Sequence, residues 1–184
     1  FFHFTQYMNV LYQKSLDLLT KLIAIPSFSR EEDGTASLIQ SFFEKEGIEV
    51  QRVGNNILVR NKHFSSAKPS VLLNSHHDTV RPNSGYTRDP FRPEIIDGKL
   101  FGLGSNDAGG PLVSLVATFL HFYDRSDLRY NIVLAATAEE EISGTGGIER
   151  IWELIKPIDF AVVGEPTLCD IATAEKGLMV LDCI

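Results

Sequence analysis

Apolar residues fall at Leu11, Leu16, Leu18, Leu19, Leu22 and Ile23, with Gln13, Lys14, Asp17, Thr20 and Lys21 between them. That spacing predicts a helix from about Val10 to Ala24, stopped by Pro26. A second helix is expected after it, with Ser29 as N-cap and Glu32 three residues on completing a capping box. Ile39, Phe42 and Phe43 would form its buried face and Gly47 its stop. The pattern then shortens. Ile48–Val53 and Asn56–Val59, joined through Gly54-Asn55, read as a hairpin, and Glu94–Phe101 reads as another, turning at Asp97-Gly98. Leu112, Leu115, Val116 and Phe119 restore helical spacing over about 111–123, and a further helix is expected to end near Ile155. The last β-like runs are Ile171–Lys176 and Leu178–Ile184.

Three short apolar runs break this alternation: Val71–Leu73, Ile132–Thr137 and Phe160–Val163. Continuous runs of this length suit strands buried on both faces of a parallel sheet. Each stops in polar residues. The first ends in Asn74-Ser75-His76-His77-Asp78-Thr79, the second in Ala138-Glu139-Glu140-Glu141, the third in Gly164-Glu165-Pro166-Thr167. Strands that deliver imidazole and carboxylate at their carboxyl ends are how open α/β sheets build active sites. Side-chain alternation would send His76 and Asp78 one way and His77 the other. Asp78 could then orient an imidazole whose second nitrogen binds a metal.

Composition narrows the class without naming a chemistry. The chain has 184 residues, 43% of them hydrophobic, which is enough for one sizeable core. A net charge of −7 argues against a nucleic-acid or anionic-membrane surface. Two cysteines, Cys169 and Cys183, make no disulfide framework and suit a reducing cytoplasm. The aromatic start lacks the features of a signal peptide, and no apolar run reaches membrane-spanning length. His63 falls in an exposed loop and His121 late on a helix, neither a good ligand position. The glycines of Gly102–Gly110 lack GK[ST] and a third Rossmann glycine, so they read as close packing around Asp107 rather than a phosphate cradle.

Collected from strand ends and one glycine turn, the candidate set is His76, Asp78, Asp107, Glu140, Glu141 and Glu165. Three consecutive carboxylates repel one another unless they face solvent or a cation compensates them. Two divalent cations need a bridging carboxylate and terminal N/O ligands; imidazole with carboxylate suits zinc, with cobalt or manganese possible. Glu140 and Glu141 could divide the work of general base and ligand.

The motifs HxDT at 76–79, GxGxxD at 102–107, TAxEExxG at 137–144 and GEPT at 164–167 together resemble the zinc-dependent deacylase and exopeptidase family. That family includes acetylornithine deacetylase, succinyl-diaminopimelate desuccinylase, aminoacylase and the glutamate-releasing carboxypeptidases. ILVR, DPF, DGKLFGLGSND and EKG are similar to the acetylornithine deacetylase branch. The resemblance implies a three-layer α/β catalytic domain, with a mixed, mostly parallel sheet and helices on both faces. It implies that His76 and Glu165 bind one metal, that Asp107 bridges two, that Glu141 binds the second, and that Asp78 orients His76. Glu140 would be the general acid/base, activating a water between the metals to cleave the amide of an N-acyl amino acid, and Asp107-Ala108 would be a cis peptide. His77 falls at a variable position.

The chain also departs from the family. The second metal's histidine comes from near the C-terminus in relatives, and no histidine here lies beyond His121. The lid and dimerisation domain is missing. Residues 1–176 therefore read as the first portion of the catalytic domain and 177–184 as the start of a connection, with a homodimer expected only of a longer form. A dipeptidase or aminopeptidase, or a non-catalytic metal-binding module, are the alternative readings.

Overall fold

The structure is a computed structural model that describes residues 2–174. Helix α1 spans Phe2–Ile23, some two turns more than the periodicity predicts at its start. Helix α2 is Asp33–Lys45. It closes in a Schellman motif: Gly47, at φ +74°, gives its N–H to Glu44 O, and Ile48 gives its N–H to Phe43 O. Ile48 thus belongs to the helix terminus and the core, and the strand expected from it begins only at Gln51.

Strands β1 (Gln51–Val53) and β2 (Asn56–Arg60) form the expected antiparallel hairpin. Then come β3 (Ser70–His76), the small separate hairpin β4 (Glu94–Ile96) and β5 (Lys99–Phe101), helix α3 (Gly110–Phe122) and β6 (Asn131–Thr137). Helix α4 (Ile148–Ile155) and β7 (Phe160–Val163) complete the set. The main sheet has the order β1-β2-β6-β3-β7, with β6, β3 and β7 parallel and β1 and β2 antiparallel to their neighbours.

This order follows from handedness. The connection out of β3 through α3 leads to β6 on one side, and the connection out of β6 through α4 leads back across β3 to β7. Right-handed crossovers running in opposite directions place their helices on opposite faces. Two apolar clusters record this. Leu18, Leu22, Ile39, Phe43, Leu112, Val116 and Phe119 pack with Leu73 and Leu134 on one face, and Ile151 and Ile155 pack with Leu58, Leu72, Val133 and Ala135 on the other. The crevice where crossovers diverge, outside the carboxyl ends of β3 and β6, is where such sheets bind ligands.

Two expectations are corrected. β7 is exposed along its length because, at the sheet edge among the described residues, it has a neighbour on one side only. Ile171–Ala174 are not in a strand, and Ile171 is exposed. The run 178–184, the 176/177 boundary and Cys183 lie outside the described residues. No helix among those described is long and apolar enough to cross a membrane.

Candidate active site

β3 ends on His76, buried and fixed at both ring nitrogens. Nδ1 lies 2.9 Å from the Asp78 backbone carbonyl and 3.3 Å from its carboxylate. A carbonyl only accepts, so Nδ1 carries the proton and Nε2 faces the crevice. There it meets Asp107 Oδ1 at 3.2 Å, Glu140 at 3.8 Å and Glu165 at 3.9 Å. His77 points the other way, as strand alternation requires, with Nε2 2.9 Å from Asn55 O and Nδ1 2.9 Å from Thr35 Oγ1.

Asp107 sits in a wide turn, Ser105–Gly109, and the Asp107-Ala108 peptide is cis. Gly109 allows this turn to close against α1, since a Cβ there would meet the Gly104 carbonyl and Leu19. Glu140 and Glu141 open a single helical turn directly after β6. Glu165 follows β7 and Gly164, whose N–H is bound by Asn74 O of β3. One ligand atom from each of His76, Asp107 and Glu165 lies within 4.8 Å of the others, a spacing that admits one cation. Glu140 and Glu141 stand at the same crevice.

Electrostatics point the same way. Burial pushes the His76 imidazole down, but the carboxylates of Asp78, Glu165 and Glu140 outweigh it and carry its pKa to about 9. Burial pushes Asp78 up, but hydrogen bonds from His76, Ser29 and the Glu140 N–H leave it below the usual carboxylate range. Glu141 and Glu165 are both raised, by burial first and then by neighbouring carboxylates. An imidazole and crowded carboxylates that resist ionisation are the donor set a divalent cation relieves, so the residues fit such a group.

The predicted capping box does not form. α2 begins at Asp33, and its N-cap position, Glu32, has no side-chain cap hydrogen bond. Ser29 Oγ instead donates to Asp78 Oδ2 at 2.7 Å, and buried Glu32 binds Arg30 N, Asn55 Nδ2 and the N–H of Glu139. Short polar side chains near a helix start serve local caps or distant partners equally well, and here distant partners win. Sequence reasoning therefore missed Ser29, Glu32 and Asn56 as residues of the site's frame. The residues were visible, but their partners lie up to 107 positions away.

The sequence from 72 to 177, which carries the motif residues in this order, matches peptidase family M20/M25/M40. The chain belongs to that family. Among curated M20 relatives, acetylornithine deacetylase of Proteus mirabilis (strain HI4320) is 32% identical, over 92% of this chain and 47% of the relative. Succinyl-diaminopimelate desuccinylase of Wolbachia pipientis subsp. Culex pipiens is 29% identical, over 83% and 40%. This chain spans about half the length of such relatives. Among solved structures, human carnosine dipeptidase 1 superposes with a TM-score of 0.67 at 22% identity, over 87% of this chain and 40% of that one. The M20 metallo-carboxypeptidase Sso-CP2 of Sulfolobus solfataricus gives 0.65 at 23%, over 82% and 37%. At those identities the two structures speak for the α/β fold alone.

Proposed function

We propose that this M20 chain is the metal-binding portion of an amidohydrolase that removes the acyl group from an N-acylated amino acid of the N-acetylornithine type, in the cytoplasm. The observation that carries this reading is the convergence of His76, Asp107 and Glu165 beside the Glu140-Glu141 turn. The deacylase reading is preferred over a peptidase because two relatives, 32% and 33% identical, are named acetylornithine deacetylase. A cleft of about 250 Å³ lined by Thr79, Val80, Tyr86, Ser105, Asn106, Asp107 and Glu141 offers a small substrate a place beside the cluster.

In this reading His76 and Glu165 would hold one divalent cation, and Asp107 and Glu141 would serve a second, with Asp107 available to both. Zinc is the first choice, with cobalt or manganese able to substitute. Such ions supply polarisation of an amide carbonyl and a lowered water pKa. Glu140 takes the proton from the attacking water and passes it to the departing amine nitrogen, so the C–N bond breaks as amine and carboxylate separate. Asp78 keeps the His76 Nδ1–H in place, so that Nε2 presents its lone pair.

The test is zinc-dependent hydrolysis of N-acetylornithine, with a dipeptide in parallel. Glu140→Ala is expected to lower turnover by roughly 10²–10⁴-fold, with zinc content by elemental analysis unchanged. Near-normal turnover in that variant would remove Glu140 from its role. Cleavage of the dipeptide alone would favour the exopeptidase reading, and zinc uptake without any hydrolysis a binding module.

A further inference from the structure

The turn that carries Glu140 and Glu141 is held by its backbone rather than by its side chains. Four successive N–H groups each find a side-chain oxygen, supplied by three residues distant in the chain: Ala138 N binds Asn56 Oδ1 at 3.1 Å, and Glu139 N binds Glu32 Oε1 at 3.2 Å. Glu140 N binds Asp78 Oδ1 at 3.1 Å and Glu141 N binds Asp78 Oδ2 at 3.2 Å. Glu139 itself has a left-handed backbone, φ +54°, a conformation that a non-glycine residue keeps only where its surroundings enforce it.

Glu32 is the member of this clamp that local structure does not explain. Its carboxylate is buried and, although Glu32 holds the N-cap position of α2, makes no cap hydrogen bond there. Oε1 accepts from Arg30 N at 2.6 Å as well as from Glu139 N, and Oε2 accepts from Asn55 Nδ2 at 2.8 Å. Asn55 in turn receives His77 Nε2 on its carbonyl. One buried carboxylate thus ties the segment before α2, the β1–β2 turn and the residue immediately before Glu140. A buried charge with no hydrogen bond from a lysine or arginine side chain among the described residues is costly unless every oxygen is hydrogen-bonded. Here that requirement fixes Glu139, and with it the direction in which Glu140 leaves the backbone.

We propose that Glu32 is a positioning residue for the Glu140-Glu141 turn: it contacts neither substrate nor cation, and acts by holding Glu139 N. The functional consequence rests on the amidohydrolase reading above, while the structural one does not. Removing Glu32 frees the turn without dismantling the sheet, since β6 and β3 keep their own ladder.

The test uses the whole chain and the variants Glu32→Ala, Glu32→Gln and Glu32→Asp. Backbone amide hydrogen exchange is measured on metal-free protein, and zinc-dependent hydrolysis of N-acetylornithine on loaded protein. In Glu32→Ala the amides of Glu139, Glu140 and Glu141 are expected to exchange at least tenfold faster, with those of β3 and β6 unchanged. Turnover should fall ten- to a hundredfold in kcat with KM within twofold, the scale found for supporting residues around metal sites. Glu32→Gln keeps an oxygen for Glu139 N and is expected to restore both readouts to within about threefold. Should Glu32→Ala not fold, Glu32→Asp decides. It retains the charge but falls one methylene short of Glu139 N, so the same local acceleration is expected. Unchanged exchange in the turn, or acceleration spread equally through β3 and β6, overturns the proposal, as does a kcat of Glu32→Ala equal to that of an active wild type. Absence of hydrolysis in the wild type overturns the amidohydrolase reading alone, because the exchange pattern still judges Glu32.

Discussion

Two sets of carboxylates meet at the carboxyl ends of β3 and β6, and they are treated in opposite ways. Glu32 and Asp78 are 1% and 0% exposed, and their oxygens are filled by N–H and O–H donors. Asp107, Glu140 and Glu165 have side chains 58%, 54% and 35% exposed, and they gather around His76 Nε2 at 3.2, 3.8 and 3.9 Å. The inner set is solvated by the protein, and Asp78 is correspondingly held below its ordinary pKa. The outer set is not, and Glu141 and Glu165 are pushed above theirs. The fold stabilises the charges that build the frame and tolerates the charges that project from it. That division is what a metal site needs, because a ligand already satisfied by the protein has little left to offer a cation.

The comparison breaks most easily at Asp78. Asp78→Ala strands the N–H groups of Glu140 and Glu141 and the Ser29 hydroxyl, and removes the carboxylate beside His76. Losing one partner of a buried charged pair costs about 3–5 kcal/mol. Urea unfolding of the metal-free chain should therefore show a much lower midpoint at an unchanged slope. A loss under about 1 kcal/mol would mean that Asp78 belongs with the outer set.

His76 joins the two sets, and pH tests that joint. Its pKa is raised to about 9 in the fold, so its contribution to stability is fully present below the ordinary value of about 6.5 and is lost as pH rises toward 9. The metal-free chain should lose up to about 3 kcal/mol across that window, measured as the urea midpoint from pH 6 to 9.5, and His76→Gln should flatten the decline. Zinc affinity should run the opposite way and rise with pH over the same interval, because in the proposed reading the cation and the proton would compete for Nε2. A midpoint independent of pH would show that His76 is not charged by its neighbours.

How much of this was legible in the sequence follows the same division. The outer set and His76 announce themselves, because His76, Glu140, Glu141 and Glu165 follow apolar runs after which polar residues are conspicuous, and Asp107 sits among glycines. The parallel sheet was legible for the same reason: Leu72, Leu73 and Val133–Ala136 form continuous apolar runs that only a strand covered on both faces can bury. The inner set was hidden. Ser29 and Glu32 mimic a capping box, since the same short polar side chains serve either use, and Asn55 and Asn56 read only as parts of a hairpin, which they also are. Their partners are fixed by tertiary approach, which local spacing does not encode. β7 misled for a related reason: Phe160–Val163 has the composition of a buried strand, but burial is set by its neighbours, and among the described residues it pairs with β3 alone.

The smallest effect is the sharpest test, because it changes sign. Glu165 lies among Glu140, Asp107 and Glu141, which together with burial outweigh the attraction of His76 and keep its pKa raised. The ionised form is therefore disfavoured in the metal-free fold, and Glu165→Gln should stabilise that fold. The group is more than a third exposed, so solvent screens most of the repulsion and the gain should be only about 0.5 kcal/mol. Glu141→Gln, raised by burial and by Asp107, should behave alike. With zinc at saturating concentration the order should invert, because in the proposed reading the wild-type carboxylates would bind the cation and gain stability by mass action, about 2.7 kcal/mol when zinc stands at 100 times its dissociation constant, while the glutamine variants would gain less. Thermal midpoints of wild type and both variants, with and without zinc, decide it. An inversion ties the outer carboxylates to a cation. A loss of stability in both conditions would place Glu165 and Glu141 with Asp78, as part of the frame.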